Sequence, residues 1–290
     1  MTRRTALLWM THQWNPELEA EFERLLHITY PGSPEVWLIL DSRTPGAEDV
    51  KRRFKRCHTI VETDMFRRLP YPRLKNETLY EHVHFPILDF YLTHPQYDFY
   101  WVVEFDVRYT GDWESFLRSF ELYDHDLITC HIRHFDEEPR FWWWDSLYHP
   151  AKKIERSRYL RSFNVVYRIS NRALALINNK QQDGWQGYPE VLLPTLLAES
   201  DYTLLDFGGD GKFVLPGYKN RFYTSGSADG LLNPFCTMHW RPSRSRPGIH
   251  KNKIYHPVKP KSGLEPLKER ILFFTKWIWK YLCEKLTGNR

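Results

Sequence analysis

Short apolar runs bounded by turn residues recur along the chain and predict strands. They fall at residues 6–10, 36–40, 59–61, 99–103, 126–130, 163–169 and 203–205. Helical patterns lie between them. Asn15-Pro16 opens a helix that carries Leu18, Phe22, Leu25 and Leu26 on one face, and proline is tolerated there because its missing N–H has no partner in a first turn. Residues 76–93 read as a second helix, kinked at Pro86. Asp112 is placed to cap a helix over 113–120, and residues 171–178 and 190–199 complete the set. Alternating strand and helix predicts an α/β domain with a mostly parallel sheet flanked by helices. In such sheets ligands collect at the carboxyl ends of the strands. Thr11, His12, Asp41, Glu104 and Asp106 all fall at such ends, so one crevice could gather them.

Composition narrows the picture. The chain has 290 residues, enough to bury a substantial core, and 42% of them are hydrophobic, which argues against global disorder. The net charge of +5 is too mild to point to nucleic acid, and no nucleic-acid partner is expected. The four cysteines, at 57, 130, 236 and 283, are too scattered for a metal knuckle or redox pair and read as reduced thiols of a cytosolic protein. The apolar run at 6–10 is too short for a signal-peptide core and reads as a buried first strand. No stretch is long enough to span a bilayer.

The strongest apolar run, 99–103, leads into Glu104-Phe105-Asp106. The period of two points both carboxylates to one side of the strand. Two like charges so close are costly unless a cation joins them, and no lysine lies nearby in sequence. A hard cation with oxygen ligands and positions to spare for phosphates fits, Mn²⁺ or Mg²⁺. Phe141-Trp142-Trp143-Trp144-Asp145 is a dense aromatic run, and three consecutive tryptophans cannot all face a core. At least one should line a cleft, where a sugar ring could stack. The 208–262 stretch is rich in Gly, Pro and Ser and reads as long loops, the kind that often serve as lids or binding loops. From Arg241 to Lys261 there are seven Lys or Arg and no acidic residue, a charge suited to a diphosphate.

The segment Val102-Val103-Glu104-Phe105-Asp106-Val107, followed by Gly111-Asp112, resembles the Asp-X-Asp strand of GT-A glycosyltransferases, the glycogenin-like members above all, with Glu in place of the first Asp. The resemblance spans roughly residues 5–260, and a GT-A-like domain over 1–262 is expected. It implies transfer of a sugar from a nucleotide-diphosphate donor to a glycan or lipid-linked glycan hydroxyl, as in polysaccharide biosynthesis. Asp106, Glu104 and His256 would hold the ion. Thr11, His12, Asp41, Glu104, Asn164 and Lys259 would meet the donor, Lys259 at the pyrophosphate. His239 is the alternative late histidine. Glu190, after Gly187-Tyr188-Pro189, would be the base of an inverting enzyme, with Asp183 in reserve; a carboxylate at a helix start is also favoured by the helix dipole alone. Trp142, Trp143 and Trp144 would contact the acceptor. A nucleotidyltransferase on a related fold is the first alternative, although the segment after the first strand, Thr11 to Asn15, lacks that class's glycine-rich basic loop; a non-catalytic membrane-associated scaffold is the second.

Residues 263–290 predict a basic amphipathic helix. Leu267, Ile271, Phe274, Ile278 and Leu282 recur at helical spacing among lysines and tryptophans, which suits a membrane surface met by residues 267–286. The expected location is cytoplasmic, peripheral on the inner face of a membrane.

Overall fold

The computed structural model describes residues 3–76, 78–225 and 236–259, together with 268, 271, 272, 274, 275, 278 and 279. They divide into two compact units. The first comprises Met1–Phe105, Trp113–Asp206 and Gly211–Phe213, and the second Asp106–Asp112, Phe207–Asp210 and Val214–Arg290.

The first unit is an α/β sheet flanked by helices. Its strands are β1 (Thr5–Thr11), β2 (Glu35–Asp41), β3 (Cys57–Ile60), β4 (Phe99–Glu104), β6 (Leu127–His134), β7 (Leu160–Ser170) and β8 (Leu204–Asp206), while the short β5 (Arg108–Tyr109) belongs to the second unit. Among the described residues the strands run in the order β3-β2-β1-β4-β7-β6-β8. β3, β2, β1 and β4 are mutually parallel, β8 is parallel to β6, and β7 is antiparallel to both its neighbours. β4 is buried from Phe99 to Val103 and β7 along its whole length, as strands covered on both faces must be. β1 has β2 on one side and β4 on the other, so the winding of the chain reverses between β1 and β4. Such a switch point is where open α/β sheets bind ligands, and here it lies between Thr11 and Glu104.

The helices follow from local chemistry. α1 (Pro16–Leu26) starts at Asn15, whose side chain accepts the Leu18 N–H, and it buries Leu18, Phe22 and Leu25. α2 (Ala47–Arg53) and α3 (Glu62–Arg68) follow β2 and β3. The single kinked helix expected over 76–93 is instead a 3-10 turn (Leu79–His82) followed by α4 (Phe85–Thr93). Pro86 falls in the first turn of α4, where no N–H is needed, so it begins a helix rather than bending one. α5 (Trp113–Arg118) is shorter than its pattern suggested. α6 (Asn171–Gln182) is capped by Ser170, which accepts the Ala173 N–H. In α7 (Pro189–Ala198), Thr195 is locked to β7 because its hydroxyl accepts from Leu160 N–H and donates to the Leu160 carbonyl.

The second unit is built on β5 paired antiparallel with β9 (Ile254–Tyr255). Bridges at Met238↔His256 and Arg244↔Val258 extend this framework, and Thr224 and Thr237 exchange backbone-to-hydroxyl hydrogen bonds. The long loops expected over 208–262 are therefore tied to one another by backbone pairing. The boundary expected at 262/263, and most of the C-terminal helix, lie outside the described residues. Among the described residues no helix is long and apolar enough to cross a membrane. Cys57 and Cys130 are free thiols.

Asp126 shows how the sheet handles a buried charge. Its carboxylate is fully buried and accepts from the Ser170 hydroxyl, from Arg172 twice, and from the Thr203 N–H and hydroxyl. Burial pushes its pKa up, but Arg172, Thr203 and Ser170 outweigh burial and hold it below the usual carboxylate value. Asp126→Ala should cost about 3 kcal/mol in urea denaturation, because donors are left unpaired in the interior. Arg172→Ala should cost under about 1 kcal/mol, because that side chain is largely exposed. Since folding lowers the Asp126 pKa, its contribution to stability is present above the ordinary value of 3.8 and should fade as acid titrates the folded carboxylate.

Candidate metal centre and acidic cluster

β4 carries the chain to Glu104, and Phe105 N–H then donates to the Met10 carbonyl, which fixes where the chain leaves the sheet. Asp106 comes next and belongs to the second unit, where its carbonyl accepts the Val258 N–H. Its side chain is 2% exposed. Asp106 Oδ2 lies 3.2 Å from Lys259 Nζ, and Oδ1 lies 3.4 Å from His256 Nε2. Burial alone would push this carboxyl up, but the charges and hydrogen bonding of His256 and Lys259 reverse that and hold it well below the usual carboxylate range. Asp106 is therefore an anion. Lys259, distant in sequence, supplies the partner that the local sequence lacked.

The orientation of His256 decides what the pair can do. Its Nδ1 lies 2.8 Å from the His239 carbonyl oxygen. A carbonyl can only accept, so Nδ1 carries a proton; as an imidazolium the ring turns Nε2–H toward Asp106, and loss of that proton leaves Nε2 a lone pair that a cation could take. Asp106 Oδ1 is buried and has no hydrogen-bond partner among the described residues. The Nε2 nitrogen and a carboxylate oxygen face each other at 3.4 Å. A histidine whose other nitrogen is committed to a carbonyl is the usual form of a metal-bound imidazole. The donor set, one hard oxygen and one imidazole within reach of a single ion, fits Mn²⁺ or Mg²⁺. The competing His239 does not fit, because both its ring nitrogens face carbonyl oxygens, those of Cys236 and Pro242.

The first unit holds a separate cluster around Glu190 in the first turn of α7. Burial raises its carboxyl to about 8; Arg161 and the Asn164 backbone N–H pull down, while Glu104 and Glu138 push up. Arg161 is fully buried, its Nε donates to Glu138, and its guanidinium lies over the Phe141 ring. Its Nη1 has no hydrogen-bond partner among the described residues. Pro194 cannot donate to the Glu190 carbonyl four residues before it, so this helix start is held partly by its surroundings. Tyr188 is buried, and its hydroxyl is pushed well above the ordinary tyrosine value, first by burial and then by Glu190, Tyr80 and Glu104.

The remaining expected residues are placed as follows. Thr11 Oγ1 donates to the Gln13 carbonyl and accepts its N–H, closing a tight turn after β1. His12 is exposed, in edge contact with Phe105. Asp41 is buried at the end of β2, but Arg43 engages both its oxygens and Glu62 as well, so a ribose would have to compete for it. The Asn164 side chain is spent on structure: it accepts from Thr129 and Ser162 and donates to the Pro189 carbonyl, which positions the start of α7. Asp183 caps α6 in a surface ion pair with Lys152, beside His149. The three tryptophans divide. Trp144 is buried and donates to the Glu138 carbonyl, Trp143 stacks flat on Tyr188 with centroids 4.2 Å apart, and Trp142 is 49% exposed. The Arg161–Glu138 pair went unnoticed in the sequence, and its signal was an arginine just before the apolar residues of β7.

Residues 42–126 match a family model described as Protein of unknown function (DUF3405), and the matched segment contains Glu104 and Asp106. Less than half of the chain is covered. No curated protein matches the chain.

Folding lifts the Glu190 pKa from its ordinary value of 4.5 to about 8. Its contribution to stability is therefore complete below pH 4.5 and lost as the pH rises through about 8. Glu190→Gln removes this dependence. Denaturant midpoints measured at about pH 5, pH 7 and pH 9 should move in favour of the variant as the pH rises. Parallel profiles for the two proteins would show that Glu190 is ionised throughout.

Proposed function

We propose that the protein is a metal-dependent glycosyltransferase of the GT-A type, moving a sugar from a nucleotide-diphosphate donor to a hydroxyl of a glycan or lipid-linked glycan. The observation that carries this reading is the buried Asp106 Oδ1, without a hydrogen-bond partner among the described residues and faced at 3.4 Å by Nε2 of His256, whose Nδ1 is committed to a carbonyl. Asp106 and His256 would bind Mn²⁺ or Mg²⁺, with Glu104, two residues earlier in the chain, as the third ligand. When bound, the ion neutralises the donor diphosphate and stabilises it as it leaves.

The protein's own groups supply the rest. Lys259 would shift its ammonium between Asp106 and the diphosphate, helped by the basic stretch from Arg241. Thr11, His12 and Asp41 end strands at or beside the switch point and would meet the nucleoside. Glu190 would accept the acceptor proton if the enzyme inverts; a carboxyl titrating near 8 is matched to base work near neutral pH. Trp142 and Trp143 would contact the acceptor. Residues 267–286 would rest on the inner face of a membrane, which suits a lipid-linked acceptor.

Calorimetry of UDP, GDP and ADP with Mn²⁺, on wild type and on Asp106→Ala and His256→Ala, tests this reading. Wild type should bind at least one nucleotide only when the metal is present, and Asp106→Ala should lose about 100-fold in affinity. Binding without metal dependence, or none at all, would sink the enzyme reading and favour the scaffold. A donor screen then separates the transferases: release of nucleotide diphosphate supports glycosyl transfer, whereas release of pyrophosphate from a nucleoside triphosphate identifies a nucleotidyltransferase.

A further inference from the structure

Among the described residues no large hydrophobic side chain is more exposed than Ile249, at 94%. It belongs to the second unit, and the chain on either side of it is pinned. Gly248 packs so closely on Tyr255 that a Cβ there would stand 2.7 Å from a ring carbon. The His250 N–H donates to the Tyr255 hydroxyl at 3.0 Å, and the His250 carbonyl accepts from the Thr110 hydroxyl at 2.7 Å. Thr110 Oγ1 also accepts the Lys253 N–H, and Lys253 Nζ donates to the Arg221 carbonyl. Tyr255 is itself buried in the β5/β9 pair. The backbone around Ile249 is therefore fixed from both sides, and its side chain is held out in solvent.

A single exposed apolar side chain is ordinary. The charges around this one give it meaning. Arg246 and Lys251 flank it, both exposed, and neither makes an ion pair or side-chain hydrogen bond among the described residues. Several exposed arginines of the first unit instead face carboxylates: Arg52 meets Asp49, Arg53 meets Glu19, Arg67 meets Asp64 and Arg118 meets Glu114. Other cations of the same basic stretch are engaged inside the second unit, Lys259 with Asp106 and Arg244 with the Cys236 carbonyl and the Tyr255 ring. The imbalance extends beyond the loop. The last fifty residues carry 13 Lys or Arg and 3 Asp or Glu, against 28 and 33 in the first 240. Such an asymmetry marks the part of a chain that meets an anionic surface. Ile271, Leu272 and Trp279 of the same unit are helical and 55%, 51% and 73% exposed. Nucleic-acid phosphates would engage the cations and leave these apolar side chains idle. A lipid surface engages both, because phosphates lie next to the headgroup–acyl boundary that accepts apolar side chains.

We propose that the 246–251 loop docks on a lipid surface carrying anionic headgroups, with Ile249 entering the headgroup–acyl boundary and Arg246 and Lys251 meeting the headgroup charges. This builds on the membrane contact proposed above for residues 267–286 and adds a second element to it, shaped in advance by Tyr255 and Thr110. It depends on neither the metal site nor the sugar donor.

Co-sedimentation of the full chain with vesicles tests this. The vesicles are phosphatidylcholine alone, or phosphatidylcholine mixed with phosphatidylserine. The protein should bind the mixed vesicles at least about tenfold more tightly than the neutral ones, and added salt should weaken that binding. Ile249→Asp, at a position where the side chain is almost wholly in solvent, should weaken binding about tenfold. The double variant Arg246→Glu/Lys251→Glu should weaken it by at least as much. Trp279→Ala reads the C-terminal helix separately. Unchanged binding in either loop variant would overturn the loop as the contact, whatever Trp279→Ala does. No binding to the mixed vesicles, or equal binding to both kinds, would overturn the anionic surface. Tighter binding to single-stranded RNA, lost in Arg246→Glu/Lys251→Glu and kept in Ile249→Asp, would assign the cations to nucleic acid and overturn the proposal. The nucleotide and metal titrations of Asp106→Ala read a different set of residues, so the two ideas fail separately.

Discussion

A carboxylate buried in a protein must be either neutral or compensated, and Asp106 is compensated without being fully satisfied. His256 and Lys259 hold it ionised, yet Oδ1 makes no hydrogen bond of ordinary length among the described residues, and Nε2 of His256 stands 3.4 Å away. An arrangement selected for stability alone would close that gap to an ordinary hydrogen bond. The surrounding structure maintains the geometry: the Asp106 backbone carbonyl is bound by Val258, and the His239 carbonyl that orients His256 is fixed by a residue whose own ring is pinned between Cys236 and Pro242. The second unit spends its short strands, bridges and buried histidine on presenting one carboxylate and one imidazole to each other.

The first unit serves a different constraint. Its winding reverses between β1 and β4, the kind of switch point at which open α/β sheets bind ligands. β4 is apolar until its last residue, so the first charge the sheet exposes there is Glu104. The side chain of Asn164, on the neighbouring β7, reaches the Pro189 carbonyl and sets the start of α7, while its backbone N–H contacts Glu190. The sheet thereby delivers carboxylates from two elements to one region by means of ordinary backbone constraints.

Much of the sheet was legible in sequence because β1, β2 and β4 carry continuous apolar runs, and a run buried on both faces needs no periodicity to be recognised. The helix over 76–93 was misread because the same proline that kinks a helix interior also opens a helix, and only the chain on either side decides which. Asp106 could be singled out by its position after the strongest strand. Its ion pair with Lys259 could not, because that pairing is closed by tertiary structure across most of the chain. Asn164 drew notice through the resemblance to GT-A enzymes, and its side chain proved to be spent on neighbours that no local pattern reveals. The tryptophan run announced that its members must part company, and the fold decided which one stayed exposed.

Two buried acids of the first unit show how structure separates scaffold from site. Asp126 has every oxygen occupied by donors, and its pKa falls despite burial. Such a group is strongly coupled to folding and has nothing left to offer a ligand. Glu190 stands beside a guanidinium already held by Glu138 and beside a second carboxylate, and its pKa rises to about 8. Its environment opposes the charge it would normally carry, which costs stability at neutral pH. Under the function proposed above that cost has a use, because a poised, incompletely compensated carboxyl can take a proton where Asp126 cannot.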